Sequence, residues 1–305
     1  DQPHVGHQSE GSVADDFDIF RIVRRNRRVD VHFADTERAG GRQRGRTVIG
    51  TAGRSGATEG GARAAASHTG ALAADDKVFD GACRQAGVTR AVTVEEAFEA
   101  AATFATQPLP KGPNTIVLTT AGGWGVVTSD AIVRDGRLRL MELPADLQAQ
   151  IDTKLPPRWS RNNPVDCAGG EVRDTIPEVM EMIAAHPEVH AIVYLGIGIQ
   201  SNQARLMKEG RFYPGNGLER IVAYHERQDE RFAEAAHELS QRYGKPILTA
   251  TELAVADPDN AGPRAVRATG RLCYASGNRA VTALGHLWQY AQFRERRGLG
   301  SEGAR

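Results

Sequence analysis

The stretch Thr115-Ile116-Val117-Leu118-Thr119-Thr120-Ala121-Gly122-Gly123-Trp124-Gly125 decides the fold. Its first six residues are β-branched or apolar without alternation, which predicts a strand buried on both faces. The glycines then allow a tight turn, and the segment that follows predicts a helix over residues 126–134. A continuous apolar strand that runs into a helix is typical of a parallel sheet covered on both faces.

The same alternation continues along the chain as far as residue 297. Further strands are predicted at 138–143, 165–168, 191–196, 247–251 and 272–275. Further helices are predicted at 145–153, 176–186, 218–243 and 278–296. We therefore predict an α/β fold with a doubly wound parallel sheet over residues 110–297. Ligands bind such sheets beyond the carboxyl ends of the strands, and the glycine loop 122–125 lies at one of these ends.

Upstream of the sheet the sequence predicts less order. A short strand near Thr47 and helices at 75–86 and 94–106 are expected. Three prolines among residues 108–113 predict a linker, because proline supports neither a helix interior nor a central strand. Residues 1–46 are rich in arginine and glycine with few apolar periods, which predicts an irregular or disordered segment. Residues 298–305 are predicted to be a tail.

Composition narrows the class of protein. The 305 residues contain 38 Lys+Arg and 38 Asp+Glu, so no net charge favours nucleic acid or an anionic membrane as a partner. No apolar run approaches the roughly 20 residues that a membrane span needs, and no export signal is apparent. Three separated cysteines without a C-x-x-C motif fit a reducing compartment. A cytoplasmic protein without a nucleic-acid or membrane partner is expected.

A single histidine stands among small residues in Ser67-His68-Thr69-Gly70. Neutral imidazole is nucleophilic near pH 7, and the two hydroxyls with the Gly70 backbone could hold a phosphoryl group. On local sequence alone, a histidine that only caps the next helix is equally well supported. A second anion site at the glycine-rich helix start would favour phosphoryl transfer through a phosphohistidine.

The glycine loop has an ordinary explanation as well. A tight turn between a strand and a helix needs glycine even when no ligand binds. The loop lacks the G-x-G-x-x-G spacing of dinucleotide sites and the Gly-Lys-Ser/Thr of nucleotide phosphate loops. Its sequence therefore leaves open both a phosphate site at Gly122, Gly123 and Gly125 and a plain turn.

The loop 156–166 offers further polar groups. Arg158 and Arg161 could bind phosphate or carboxylate, and Asn163 could orient Asp166. An exposed turn with solvated arginines is the explanation that we favour for this segment.

These segments together resemble a known family. Gly53-Arg54-Ser55 and residues 61–73 resemble the active-site segment of NDP-forming acyl-CoA synthetases, the ADP-forming acetate–CoA ligase branch of the succinyl-CoA synthetase superfamily. Residues 119–127 and 155–166 resemble the second flavodoxin-like domain of that family. The resemblance covers residues 47–297. It implies a flavodoxin-like domain at 110–297, preceded at 47–109 by the C-terminal remnant of another such domain. Residues before 47 match neither expected domain, so a truncated or misread start, or a relic of a longer enzyme, is expected.

The resemblance implies a chemistry. In such enzymes phosphate attacks an acyl-CoA, a histidine takes the phosphoryl group from the acyl phosphate, and ADP on an ATP-grasp domain receives it. It implies that His68 is the phosphorylated residue. It also implies that a helix beginning at Gly125 is one of two whose N-termini hold the phosphohistidine. The phosphate-binding residues would be Ser67, Thr69, Gly70, Gly122, Gly123 and Gly125, with Asn163 and Asp166 behind them.

The same resemblance implies the ligands and partners. Coenzyme A and ADP or ATP with Mg²⁺ would be substrates of the complete enzyme, with no bound metal or prosthetic group in this chain. The chain would need a CoA-binding domain and an ATP-grasp subunit or domain, and an oligomer is expected. The alternative is a non-catalytic or degenerate regulatory module that keeps the CoA-ligase fold.

Overall fold

The computed structural model describes residues 19–25, 28–34, 49–52, 76–167 and 174–299. The chain divides into two compact units, residues 1–97 and 98–305. This boundary lies earlier than the predicted one at 109/110, because the second half of helix Val94–Thr106 packs within the second unit. There Phe104 contacts Tyr290 edge-on, with ring centroids 5.3 Å apart.

The first unit contains a four-stranded sheet. Its elements are β1 Ile19–Arg25, β2 Arg28–Ala34, β3 Ile49–Ala52, α1 Asp76–Ala86, β4 Thr89–Arg90 and the start of α2 Val94–Thr106. The strand order is β2-β1-β3-β4; β1 is antiparallel to β2 and β3, and β3 is parallel to β4. Helices α1 and α2 agree closely with the predicted helices at 75–86 and 94–106.

The prediction that residues 1–46 are irregular is wrong for β1 and β2. Val29, Val31 and Phe33 alternate with polar residues, which is the period-two pattern of a strand. The arginines that flank and interrupt these strands hid the pattern by making the segment look like a solvated charge block. The remaining residues of 1–46 lie outside the described residues.

The second unit is built around a parallel sheet. Its strands are β5 Asn114–Thr119, β6 Arg139–Leu140, β7 Val165–Asp166, β8 Ala191–Leu195, β9 Ile247–Ala250 and β10 Cys273–Tyr274. The helices after α2 are α3 Gly122–Asp135, α4 Ala145–Asp152, α5 Thr175–Ala185, α6 Ile199–Lys208, α7 Leu218–Tyr243, α8 Leu253–Ala256, α9 Ala261–Ala268 and α10 Gly277–Arg296.

The strand order is β10-β9-β8-β5-β6, with β7 also paired to β5, and every pair is parallel. With β7 set aside, this is the 2-1-3-4-5 order of flavodoxin-like folds. The predicted doubly wound α/β class is therefore confirmed. The order reverses between β5 and β8, and the two chain segments that leave these strands flank the crevice where such folds bind ligands.

Helices cover both faces of this sheet. Ile116, Leu118, Ile192 and Tyr194 are fully buried in one cluster with side chains of α5 and α7. Alternate residues of a strand point to opposite faces, so Val117, also fully buried, lies on the other side, where α3 and α10 contact the strands. Hydrophobic cores on both faces hold the carboxyl edge of the sheet in place.

Two differences between the predicted and the observed helices bear on function. Helix α3 begins at Gly122, four residues before the predicted start, so the glycine loop is itself the first turn of the helix. Helix α6 was not predicted, because it is rich in polar residues. Within the described residues, no helix is long and apolar enough to cross a membrane.

Candidate functional site

The predicted catalytic segment cannot be described structurally. His68, Ser67, Thr69 and Gly70 lie outside the described residues. Their assignments stay predictions from the sequence.

Two helix N-termini flank the reversal point of the sheet, and their chemistry differs. Helix α6 follows β8, and its N-terminus is capped by a residue that is distant in sequence. Asp229 of α7 accepts hydrogen bonds from Gly198 N (2.9 Å), Ser201 N (2.7 Å) and Ser201 Oγ (2.6 Å). Asp229 is fully buried, and this burial raises the pKa of its carboxyl. The N-terminus of α6 is therefore already occupied by an internal carboxylate.

Helix α3, which follows β5, receives no cap from the side chain of its own N-cap residue. Its N-cap residue Ala121 is extended and has no side chain that can accept a hydrogen bond. Thr119 Oγ1 holds the turn by accepting from Ala121 N at 2.9 Å and donating to Ala121 O at 2.9 Å. The N–H groups of Gly122 and Gly123 belong to the first turn, where an α-helix offers them no acceptor. This helix end can donate hydrogen bonds to an anion.

The three predicted glycines have different roles at this helix end. Gly123 is exposed, and a Cβ built on it would meet nothing within 4 Å. Gly125 is buried, and its Cβ would lie 3.0 Å from Thr119 Cγ2 and 3.2 Å from Pro164 Cβ. Gly125 N already donates to Ala121 O at 3.2 Å. Gly125 therefore lets the helix pack closely on the strand, while Gly122 and Gly123 present the N–H groups.

Asp166 lies directly beside this helix start. A Cβ on Gly122 would collide with Asp166 Oδ2, so the carboxylate stands over the first residue of α3. A carboxylate interacts favourably with a helix N-terminus. The same position makes Asp166 a competitor of any anionic ligand there.

Asn163 has a different role from the one predicted. Its Oδ1 accepts from Val117 N at 2.9 Å, and its Nδ2 donates to Thr115 O and Met141 O, both at 2.9 Å. Strand β6 pairs with the beginning of β5 and β7 with its end, so the Asn163 amide bridges the gap between them. The side chain is used in holding the sheet edge rather than in orienting Asp166.

The arginine loop agrees with the explanation favoured from sequence. Arg161 is exposed, and its Nε lies 3.2 Å from Asp152 Oδ1. Asp152 also accepts from the indole of Trp159 at 2.8 Å. These contacts fix the loop and engage Arg161 with a carboxylate of the chain itself.

A cavity of about 170 Å³ opens beside the N-terminus of α3. Its walls come from the carboxyl ends of β8 and β9 and from the first turns of α3 and α10. The lining residues are Trp124, Val127, Thr128, Leu195, Ala250, Glu252, Ser276, Gly277 and Asn278. A Cβ on Gly277 would collide with Thr128 Oγ1, so glycine is needed for α10 to begin this close to α3.

Sequence reasoning missed the α10 part of this cavity. Ser276 follows a strand and precedes a helix, and its Oγ accepts from Arg279 N at 3.3 Å as an N-cap. A serine in that position is a recognised helix-start signal and could have located this part of the cavity.

Among the described residues, no group of three or more His, Cys, Asp or Glu is placed to hold a metal ion.

Comparison with known proteins shows what the two parts of the chain are similar to. Residues 32–104 match the succinyl-CoA ligase-like flavodoxin domain, and residues 115–201 match the ligase-CoA domain. The resemblance to ADP-forming acyl-CoA synthetases is confirmed, and its first part begins at residue 32, earlier than Thr47. The interval between the two matches contains the predicted domain boundary at 109/110.

Individual relatives agree with this class. The chain is 40% identical over 150 residues to the alpha subunit of ADP-forming acetate–CoA ligase I of Pyrococcus furiosus, covering 47% of this chain and 30% of the relative. It is 30% identical over 247 residues to ADP-forming acetate–CoA ligase II of Archaeoglobus fulgidus, covering 79% of this chain and 32% of the relative.

A solved structure extends the comparison to the fold. The dinucleotide-forming acetyl-coenzyme A synthetase 1 of Candidatus Korarchaeum cryptofilum, in complex with phosphate and ADP, aligns with a TM-score of 0.61 and 26% identity. The alignment covers 82% of this chain and 49% of that one. The chain thus spans about a third of the two ligases above and half of this synthetase.

Proposed function

We propose that the chain is the phosphohistidine-bearing part of an ADP-forming acyl-CoA synthetase, with His68 as the phosphoryl carrier. The observation that carries the proposal is the combination of two CoA-ligase segments with a helix that begins, at the reversal point of a flavodoxin-like sheet, on an N-cap residue without a capping side chain. The relatives are named as ADP-forming acetate–CoA ligases, which supports the reaction class.

The proposed phosphoryl transfer has two steps. A neutral ring nitrogen of His68 attacks the phosphorus of an acyl phosphate, the P–O bond to the acyl group breaks, and the carboxylate leaves. A terminal oxygen of ADP then attacks the same phosphorus, giving ATP and regenerating the imidazole. The phosphoryl oxygens carry concentrated negative charge, which the N–H groups of Gly122 and Gly123 would stabilise at the α3 N-terminus.

The proposal includes ligands and partners. Coenzyme A, phosphate and ADP would be substrates, with Mg²⁺ accompanying the nucleotide. The partners would be a CoA-binding domain and an ATP-grasp subunit, in an oligomer in the cytoplasm. The named alpha subunit among the relatives supports a partner subunit. Ser67, Thr69 and Gly70 would contact the phosphoryl group on His68.

Reconstitution tests this function. The chain is combined with the CoA-binding domain and the ATP-grasp subunit of an ADP-forming acetate–CoA ligase, and formation of ATP from acetyl-CoA, phosphate and ADP is followed. ATP formation is expected to require this chain, to be lost in His68→Asn and to persist in Asp130→Asn, which changes an exposed residue of α3. ATP formation that His68→Asn leaves unchanged would overturn the assignment. A folded chain that supports no ATP formation with any such partner would favour the non-catalytic module.

A further inference from the structure

A lysine with unusual surroundings lies at the amino edge of the same sheet, away from the α3 site. Lys245 is half-buried between Gly244, the left-handed C-cap of α7 (φ 61°), and Pro246, which precedes β9. Its Nζ donates to His186 O at 2.6 Å. His186 is the C-cap residue of α5, so the backbone on both sides of the contact is fixed.

The charges around Lys245 disfavour its protonated form. Burial, and then the positive charge of Lys111, lower its pKa from the ordinary 10.5 to about 8. His190 precedes β8, and its Nδ1 accepts from Asn114 N at 3.2 Å; burial and Lys245 lower its pKa. The negative charges in this region are Glu188, which acts on His190, and Asp146, whose carboxylate lies 3.3 Å from His186 Nε2.

Other lysines provide an internal contrast. The chain has five lysines, at positions 77, 111, 154, 208 and 245. Lys154 Nζ lies 2.9 Å from Glu178 Oε2, and Lys208 Nζ lies 2.7 Å from Glu226 Oε1. The hydrogen bond to Glu226 raises the pKa of Lys208. Within the described part of the chain, no carboxylate lies within ion-pair distance of Lys245.

We propose that Lys245 is the preferred site at which this chain is acylated by activated acyl groups on anionic leaving groups, namely acyl phosphates and acyl-CoA thioesters. A neutral amine is the nucleophile in such a reaction, and lysines in low-polarity surroundings supply it. The adjacent Lys111 attracts the anionic donor while it disfavours protonation of Lys245. The His186 carbonyl engages one N–H and leaves the nitrogen lone pair free to attack.

The reaction balances without a further reagent. The Lys245 amine attacks the acyl carbon, the C–N bond forms, and the C–O bond to phosphate or the C–S bond to CoA breaks. One amine proton leaves with the phosphate or the thiolate. The product is a neutral amide that keeps one N–H, so the hydrogen bond to His186 O can survive while the repulsion from Lys111 disappears.

The inference stands on the described contacts and needs no catalytic activity. The proposed function would expose the chain to acyl-CoA and acyl phosphate, which gives the modification a source. Acylation is measured on the isolated full chain without any partner. Its failure therefore leaves the His68 proposal untouched, and failure of the His68 proposal leaves this one untouched.

The test measures initial acetylation rates of individual lysines by peptide mass spectrometry. The full chain is treated separately with acetyl phosphate, acetyl-CoA and the uncharged reagent N-hydroxysuccinimidyl acetate. At pH 7, about one Lys245 amine in ten is neutral at a pKa near 8. Lys154 and Lys208 are held in ion pairs, so Lys245 is expected to react about tenfold faster than either of them. Between pH 6 and 9 the Lys245 rate should flatten above pH 8, while the Lys208 rate keeps rising. Equal rates at the three lysines would overturn the proposal.

Two variants distinguish the effect of the Lys111 charge from the reactivity of Lys245 itself. Lys111→Gln removes the neighbouring cation and should slow acetylation of Lys245 by all three reagents, most strongly by acetyl phosphate and acetyl-CoA. Lys245→Arg keeps the cation and its hydrogen bond, so the fold should survive while the fast-reacting site disappears. Preference for Lys245 with the uncharged reagent alone would overturn the role given to anionic donors. Fast labelling that persists elsewhere in Lys245→Arg would overturn the assignment of the site.

Discussion

Asn163 lies in a loop, and its side chain nevertheless stabilises the edge of the parallel sheet. Asn163 makes three hydrogen bonds to backbone groups of β5 and of Met141, at the junction between the part of β5 that pairs with β6 and the part that pairs with β7. Without them, Val117 N and the two carbonyl oxygens would lose partners in a part-buried setting, which is costly. Asn163 therefore completes the strand that leads into α3.

Asn163→Ala is expected to lower the free energy of unfolding by about 3 kcal/mol, because it removes the side-chain partner of Val117 N and Met141 O and leaves Thr115 O with only the 3.4 Å bond from Met141 N. Urea denaturation followed by circular dichroism measures this. The neighbouring exposed residue provides the control: Asn162→Ala should change stability by no more than about 0.5 kcal/mol. Equal effects of the two substitutions would contradict the bridging role.

Asp166 sets the charge at the α3 N-terminus. Because its carboxylate lies over Gly122, it repels an incoming phosphate. Asp166→Asn is expected to strengthen binding of inorganic phosphate on the order of tenfold at low salt, an effect of one charge at short range. Isothermal calorimetry measures the change, and Asp130→Asn on the exposed side of α3 is the control. Weaker binding in Asp166→Asn would show that the carboxylate assists the ligand instead.

At the scale of elements, the difference between α3 and α6 places the candidate site. Both helices begin next to the strand pair where the order reverses. The end of α6 is closed by buried Asp229, whereas α3 begins on Ala121 without a side-chain cap. The positive end of α3 can therefore receive an anion in competition with Asp166, whose carboxylate lies over Gly122, and the close packing at Gly125 fixes the direction of the helix.

Two substitutions in the first turns of α3 distinguish packing from N–H presentation. Gly123→Ala fills open space and keeps the N–H group, so it should stabilise the chain by up to about 1 kcal/mol through helix propensity. Gly125→Ala pushes against Thr119 and Pro164 and should destabilise it by about 1–3 kcal/mol. Thermal unfolding of both variants decides the matter. A stabilising Gly125→Ala would contradict the packing described here.

At the scale of the whole molecule, the sheet was predictable because its strands are short apolar runs and its longest helix, α7, is strongly amphipathic. The glycine loop was predictable for the same local reason. The uses of Asn163 and Asp229 were not, because their partners are distant in sequence: Asn163 bonds to Val117, and Asp229 caps a helix that starts at Ile199. Strands β1 and β2 were missed because arginines obscured a period-two pattern.

The central claim is that His68 carries a phosphoryl group, and direct detection of that group tests it. The full chain is incubated with an ATP-grasp subunit of an ADP-forming ligase, Mg²⁺ and γ-³²P-labelled ATP, since the proposed transfer is reversible. The claim predicts a label on His68 that acid removes and base does not, that needs the partner, and that is absent from a folded His68→Asn variant. A label that persists in His68→Asn, or an acid-stable label on Ser67, would contradict it.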